Sequence, residues 1–98
     1  MRRKRTDAGL AQSVSNTGNV QYLVGNYSLA EEYALKSLDY ARKINKQSSI
    51  AYSNRLLGRI YRKQRRFDDA LTNYRKALTI YESLDAQRDT EYGTRNTI

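Results

Sequence analysis

The stretch RLLGRIYRKQRRFDDALTNYRKALTIY, residues 55–81, decides the fold of this chain. Its apolar side chains recur at three- and four-residue steps: Leu56, Leu57, Ile60 and Tyr61 before a polar break at Arg65-Arg66, then Ala70, Tyr74, Ala77, Leu78 and Tyr81 after it. That step is the period of a helix with one buried side, so the stretch reads as two helices joined by a short turn. Forty residues upstream, SNTGNVQYLVGNYSLAEEYALKSLDYA (15–41) has the same outline. Gly18 falls on Gly58, Tyr27 on Phe67, Ala30 on Ala70 and Leu38 on Leu78. Ala11 and Ser13 likewise fall on Ala51 and Ser53. A fixed period of about 20 to 50 residues marks stacked supersecondary units, none of which can bury its apolar faces alone.

Carried downstream, the same shift puts Tyr52 on Tyr92 and Arg55 on Arg95, so a third copy is expected to begin near Thr90. The expected helices are 10–24, 28–46, 50–64, 68–85 and 90–97, with breaks at Gly25-Asn26, Gln47-Ser48-Ser49 and Arg65-Arg66. The chain then divides into a basic N-terminal tail (1–9), a first repeat (10–47), a second repeat (48–87) and the start of a third repeat or a capping helix (88–98). Ser28 and Asp68 are placed to cap the helices that follow them. Glu31-Glu32 and Asp68-Asp69 are expected in first turns, where acidic groups meet the positive end of the helix dipole. Gly18, Ala30, Gly58 and Ala70 would let helix axes approach closely, while Tyr27, Leu38, Phe67, Tyr74, Leu78 and Tyr81 fill the wider gaps. The fold class is all-α: stacked antiparallel helix pairs, two repeats and part of a third.

Composition narrows the chemistry. Ninety-eight residues with 39% hydrophobic side chains, nine tyrosines and one phenylalanine suit a thin layered domain more than a deep core. No proline interrupts the helices. Without cysteine or histidine the chain lacks disulfides, thiolate and imidazole chemistry and most transition-metal ligands. No phosphate loop or dinucleotide fingerprint is present. An enzyme is therefore not expected, and no catalytic, cofactor-binding or metal-binding residue is assigned. Eighteen Lys and Arg against ten Asp and Glu give a net charge of +8, which favours anionic partners. The start Met1-Arg2-Arg3-Lys4-Arg5 is not followed by an apolar run like that of a signal peptide, and no segment approaches the length of a membrane span. A cytoplasmic protein without membrane contact is expected.

One charged feature stands out. Arg55, Arg59, Arg62 and Arg66 are spaced four, three and four, which sets them on one stripe of a helix whose other side carries Leu56, Leu57, Ile60 and Tyr61. No acidic residue lies between Ala51 and Phe67, so neighbouring cations repel by a few tenths of a kcal/mol per pair without local relief. A solvated face is the plain explanation, and an anionic ligand the functional one.

These residues resemble the tetratricopeptide repeat. Leu57-Gly58, Tyr61, Phe67, Ala70, Tyr74 and Ala77 match its pattern, and the first copy carries Gly18, Gly25-Asn26-Tyr27 and Ala30. Thr17, Gln21, Ala34 and Ser37 stand where larger or more apolar residues are common, the closing proline is missing, and the period of forty is similar to the longer-helix variant of the repeat. The resemblance implies an α-solenoid that binds other proteins in a groove lined by the first helix of each pair. Onto that groove it maps Gln12, Ser15, Asn19 and Tyr22, then Tyr52, Arg55, Arg59 and Arg62, with Tyr92 and Arg95 continuing the row. Some members hold a terminal carboxylate with Lys, Asn and Arg there. Asn19, Arg55 and Arg59 are similar in kind, although Ser15 replaces one expected cation.

The functional expectation is a protein-interaction module for an acidic or carboxylate-bearing segment, with Asn19, Tyr52, Arg55, Arg59, Arg62 and Arg95 as ligand-binding residues. Two other readings compete. Nucleic acid would use the basic tail and the arginine stripe, with Tyr22, Tyr52 and Tyr92 free to stack on bases. Self-association as a homo-oligomer would use the uncovered side of the second copy at Tyr74, Leu78 and Tyr81.

Overall fold

Three left-handed residues punctuate the chain at intervals of twenty: Gly25 (φ 90°), Asn45 (φ 53°) and Arg65 (φ 63°). Each ends a helix in the same way. The N–H of the left-handed residue donates to the carbonyl three residues back, Gly25 to Tyr22, Asn45 to Arg42 and Arg65 to Arg62, at 3.0–3.1 Å. The next N–H donates five residues back, Asn26 to Gln21, Lys46 to Ala41 and Arg66 to Tyr61, at 2.8–3.0 Å. Together the two bonds satisfy carbonyls that the helix end would otherwise leave open. The result, in a computed structural model that describes residues 2–92 (side chains over 9–88), is four helices: α1 (Arg2–Leu23), α2 (Tyr27–Lys43), α3 (Gln47–Lys63) and α4 (Phe67–Tyr92). Among the described residues there is no strand.

The helices alternate in direction and pack as neighbours in chain order, α1 on α2, α2 on α3 and α3 on α4, with α1 also touching α3. This is the stacked-pair architecture the period of forty requires. α3 is the central element. It buries Ala51, Ser53, Asn54, Leu56, Leu57, Gly58, Ile60 and Tyr61 because α2 covers one flank and α4 the other. α1 buries one narrow seam, Ala11, Ser15, Gly18 and Tyr22.

The small residues act where helices meet most closely. A Cβ on Gly18 would lie 3.2 Å from Tyr33 Cβ and 3.4 Å from Leu56 Cδ2. A Cβ on Gly58 would lie only 2.9 Å from Tyr74 Cδ1, against the body of the ring. Ala30 and Ala70 are both buried at the matching positions of α2 and α4.

Several sequence expectations need correction. The turn between the repeats is Ile44-Asn45-Lys46, and Gln47-Ser48-Ser49 opens α3 instead of breaking the chain. Asn45 supplies the left-handed residue there, a conformation asparagine tolerates. Ser28 lies inside α2, and neither that helix nor α3 has a side-chain cap. Asn26, the N-cap of α2, instead donates from Nδ2 to Gln21 Oε1 at 2.8 Å. Asp68 and Asp69 do occupy the first turn of α4, whereas Glu31 and Glu32 lie beyond the first turn of α2. α4 runs unbroken to Tyr92 through the interval where helices 68–85 and 90–97 were to separate. Asp85, twenty residues after Arg65, is helical and pairs with Arg88 at 3.1 Å. Residues 93–98 lie outside the described residues, and α1 is already helical from Arg2, within the segment read as a tail. Phe67 and Leu78 are also not gap fillers. They are 59% and 55% exposed, whereas Leu38, the counterpart of Leu78, is 7% exposed, because α3 covers α2 and among the described residues no further helix covers α4.

Gly58→Ala should destabilise the fold by about 1–3 kcal/mol through overpacking against Tyr74. Arg65→Gly should raise stability by roughly 0.5–1 kcal/mol, since a left-handed side chain costs about 1–2 kcal/mol and part of that relief is offset by glycine's unfolded-state entropy. Thermal and urea melts followed by circular dichroism measure both changes.

Candidate functional site

Helical spacing carries Tyr52, Arg55, Arg59 and Arg62 onto one side of α3, away from its buried flanks. Two of the arginines are held by aromatic rings. The Arg55 guanidinium lies 5.4 Å from the centroid of the Tyr52 ring, and Arg59 lies 4.8 Å from that of Tyr22 on α1. Such contacts contribute about 0.5–1 kcal/mol at exposed sites and limit where the cation can swing. Arg55 and Arg62 are exposed and Arg59 is half-buried. Among the described residues no carboxylate pairs with any of the three, so their charge faces solvent.

Arg66 does not continue this stripe. It lies in the turn after α3, stacks 4.2 Å from the centroid of the Tyr61 ring, and forms ion pairs with Glu31 of α2 at 3.4 Å and Asp69 of α4 at 3.1 Å. Tyr61 Oη donates to Glu31 Oε2 at 3.0 Å. The cluster therefore ties α2, α3 and α4 together, and the composition of 51–67 hid it because both acids come from outside that interval.

Beside the stripe, where α1 and α3 run together, opens a cleft of about 410 Å³. Its lining includes the polar side chains of Gln12, Ser15, Asn16, Ser48, Ser49 and Lys46 together with Ala11, Tyr52 and Tyr81. At the back Ser37 and Ser53 are hydrogen-bonded to each other across the repeat boundary. The backing is fully satisfied: among the described residues no buried side-chain polar atom lacks a partner. Gln12, Ser15 and Tyr52 of this lining are among the residues mapped to the groove from the sequence, whereas Ser37, Ser48, Ser49 and Ser53 carry no strong sequence signal of their own and were not.

Of the other expected residues, Asn19 is half-buried on α1. Tyr22 is a core residue, 8% exposed and packed 6.0 Å from Tyr27 centroid to centroid, and the Arg59 guanidinium lies over its ring. Tyr92 ends α4, where its side chain is outside the described residues, as is Arg95. Among the described residues no group of three His, Cys, Asp or Glu side chains is placed to hold a metal ion, and no helix is long and apolar enough to cross a membrane.

The Tyr61 hydroxyl responds to its surroundings. Burial, the bond to Glu31 and the negative charge of Glu31 push its pKa up to about 12. Because the folded value lies above the ordinary one near 10, the group's contribution to stability is complete below pH ~10 and disappears as the pH rises through about 12. Ultraviolet titration should show a late phenolate that is lost in Tyr61→Phe, and the variant's melting temperature should fall less steeply than the parent's between pH ~10 and ~12.

No curated protein and no solved structure matches the chain. A family model described as Tetratricopeptide repeat matches residues 7–83, which takes in most of α1, all of α2 and α3, most of α4 and all three left-handed turns. With its helix pairs, close-approach glycines and forty-residue period, the chain belongs to the tetratricopeptide repeat family, whose members generally mediate protein–protein interaction and are typically non-catalytic.

Proposed function

We propose that the chain binds an acidic or carboxylate-bearing segment of another protein along α3, with Arg55, Arg59 and Arg62 as its anionic-group receptors and no catalytic role. The observation that carries this reading is three arginines in register on one exposed side, two of them held over tyrosine rings, with no carboxylate of the described residues neutralising them. Guanidinium groups fixed in this way give up less rotamer freedom on forming paired hydrogen bonds to carboxylates. The cleft that Tyr52 lines, with Gln12, Ser15 and Asn16 of α1 across from it, would take the polar part of the segment, and Asn19 of α1 is assigned to the same site. Tyr92 and Arg95 are proposed to extend the same row.

Nucleic acid is the competing ligand, and one feature counts against it: the Tyr22 ring is buried and Tyr52 already faces a guanidinium, so the stacking surface on α1 and α3 is small. A phosphate-dominated complex would also show a logarithmic salt slope of about −0.7 to −0.9 per contact.

Fluorescence anisotropy with a labelled Glu/Asp-rich peptide and a labelled oligonucleotide tests the assignment. Arg55→Ala with Arg62→Ala should weaken the peptide by about tenfold or more, given roughly 1.5–3 kcal/mol for a charge-assisted hydrogen bond, and leave helicity and melting nearly unchanged because both side chains are exposed. Unchanged peptide affinity, or an oligonucleotide that binds more tightly than every acidic peptide, would remove α3 from this role.

A further inference from the structure

The outer side of α4 carries an apolar row that the other described helices leave largely open. Phe67, Leu71 and Leu78 are 59%, 49% and 55% exposed, and Tyr74 sits half-buried between the last two. The steps of four, three and four are those of a helix–helix seam. In the first copy the corresponding positions are Tyr27, Glu31, Ala34 and Leu38, and there α3 covers them. Along one edge of the α4 row, Asp68, Arg75 and Glu82 follow at seven-residue intervals with alternating charge.

From this we infer that α4 pairs with α4 of a second copy of this chain, antiparallel, with Phe67 against Leu78 and Leu71 against Tyr74, and with Asp68 of each copy facing Arg75 of the other. Three observations select this occupant. First, the row and its charged edge are complementary to themselves when reversed, as a two-fold interface demands. In a parallel pair the same edge would face the opposite edge of the partner's row, where Ala70 and Ala77 offer it no charge. Second, the other outer helix cannot take α3's place. Where α3 presents Leu56, Leu57 and Tyr61, α1 has Asn16, Thr17 and Gln21, and its exposed Leu10, Val20 and Leu23, with Val24 just past its end, do not form such a row. Third, α4 continues as helix through Asp85 to Tyr92, so the chain makes no turn there that would fold it back over its own row. The interface lies on α4 and is independent of the arginine stripe on α3.

Sedimentation equilibrium of the full chain over increasing concentration tests the pairing. The mass should rise from 11.4 kDa to twice that value, with a dissociation constant of roughly micromolar order for an interface of this small size. Leu78→Asp should abolish the dimer with helicity retained, since the side chain is already half in solvent. Arg75→Glu should weaken it by about tenfold, and Asp68→Arg combined with Arg75→Glu should recover most of the loss. The chain has no native cysteine, so Leu71→Cys alone should form an intermolecular disulfide near the two-fold axis, while Val20→Cys should not. A strictly monomeric chain, or a dimer indifferent to Leu78→Asp, would overturn the interface. Failure of the double charge exchange to recover binding would overturn its antiparallel register. Arg55→Ala with Arg62→Ala should leave the dimer intact, so loss of peptide binding and loss of pairing are separable.

Discussion

Everything in this structure depends on α3 being covered on both flanks. A single pair of helices of this composition has too little apolar surface to order its chain, because the ordering of each residue costs about 1–2 kcal/mol in backbone entropy alone. The fully buried aliphatic side chains Leu56, Leu57 and Ile60 all belong to α3. Each contributes about 1.5–3 kcal/mol only while α2 and α4 keep water from it. The polar groups on the same helix are matched to the same neighbours: Ser53 bonds to Ser37 on α2, and Asn54 accepts from Asn73 on α4 at 3.0 Å. Loss of either neighbour would expose apolar surface and at the same time leave a polar partner behind, so the two repeats form one cooperative unit.

Access to α3 is in turn a matter of small residues and of helix length. Gly18 and Gly58 remove the Cβ atoms that would keep Tyr33 and Tyr74 away, and this is why the glycine-to-glycine interval gave the repeat its register in the sequence. The equal length of α2 and α3, 17 residues each, follows from left-handed turns every twenty residues. Sequence reading found the turn at Gly25 readily, since glycine is the usual residue for that conformation. It placed the turn at Asn45 a few residues late because Gln47-Ser48-Ser49 look more like a break than Ile44-Asn45-Lys46. At Arg65 the pattern of flanking helices located the turn although its residue type did not advertise it.

The candidate site was legible to a similar, uneven degree. The spacing of Arg55, Arg59 and Arg62 is a local property of one helix and could be read directly. Arg66 has the same spacing but a different environment, since Glu31 and Asp69 arrive from two other helices to hold it. Contacts between residues thirty-five apart in the chain cannot be read from one helix's periodicity, and the pairing of Tyr61 with Glu31 was invisible for the same reason. The cleft beside Tyr52 was equally hidden. It arises from serines that are unremarkable singly and become a surface only when α1 and α3 lie side by side.

The two outer surfaces of the domain differ in a way that the repeat alone does not require. On α1 the positions that match the α2-facing side of α3 have become Asn16, Thr17 and Gln21, groups that water satisfies without loss. On α4 the positions that match the α3-facing side of α2 stay apolar, and Leu71 even stands where α2 has Glu31. Polar groups at these positions, like Asn16, Thr17 and Gln21 on α1, would leave a neighbour little to bury. An exposed leucine in place of a glutamate, in line with Phe67 and Leu78, goes the other way and adds apolar surface at a place where solvent alone favours charge. The apolar row of α4 is thus suited to being covered, and a helix carrying its own complement of Asp68 and Arg75 supplies one self-consistent way to do so.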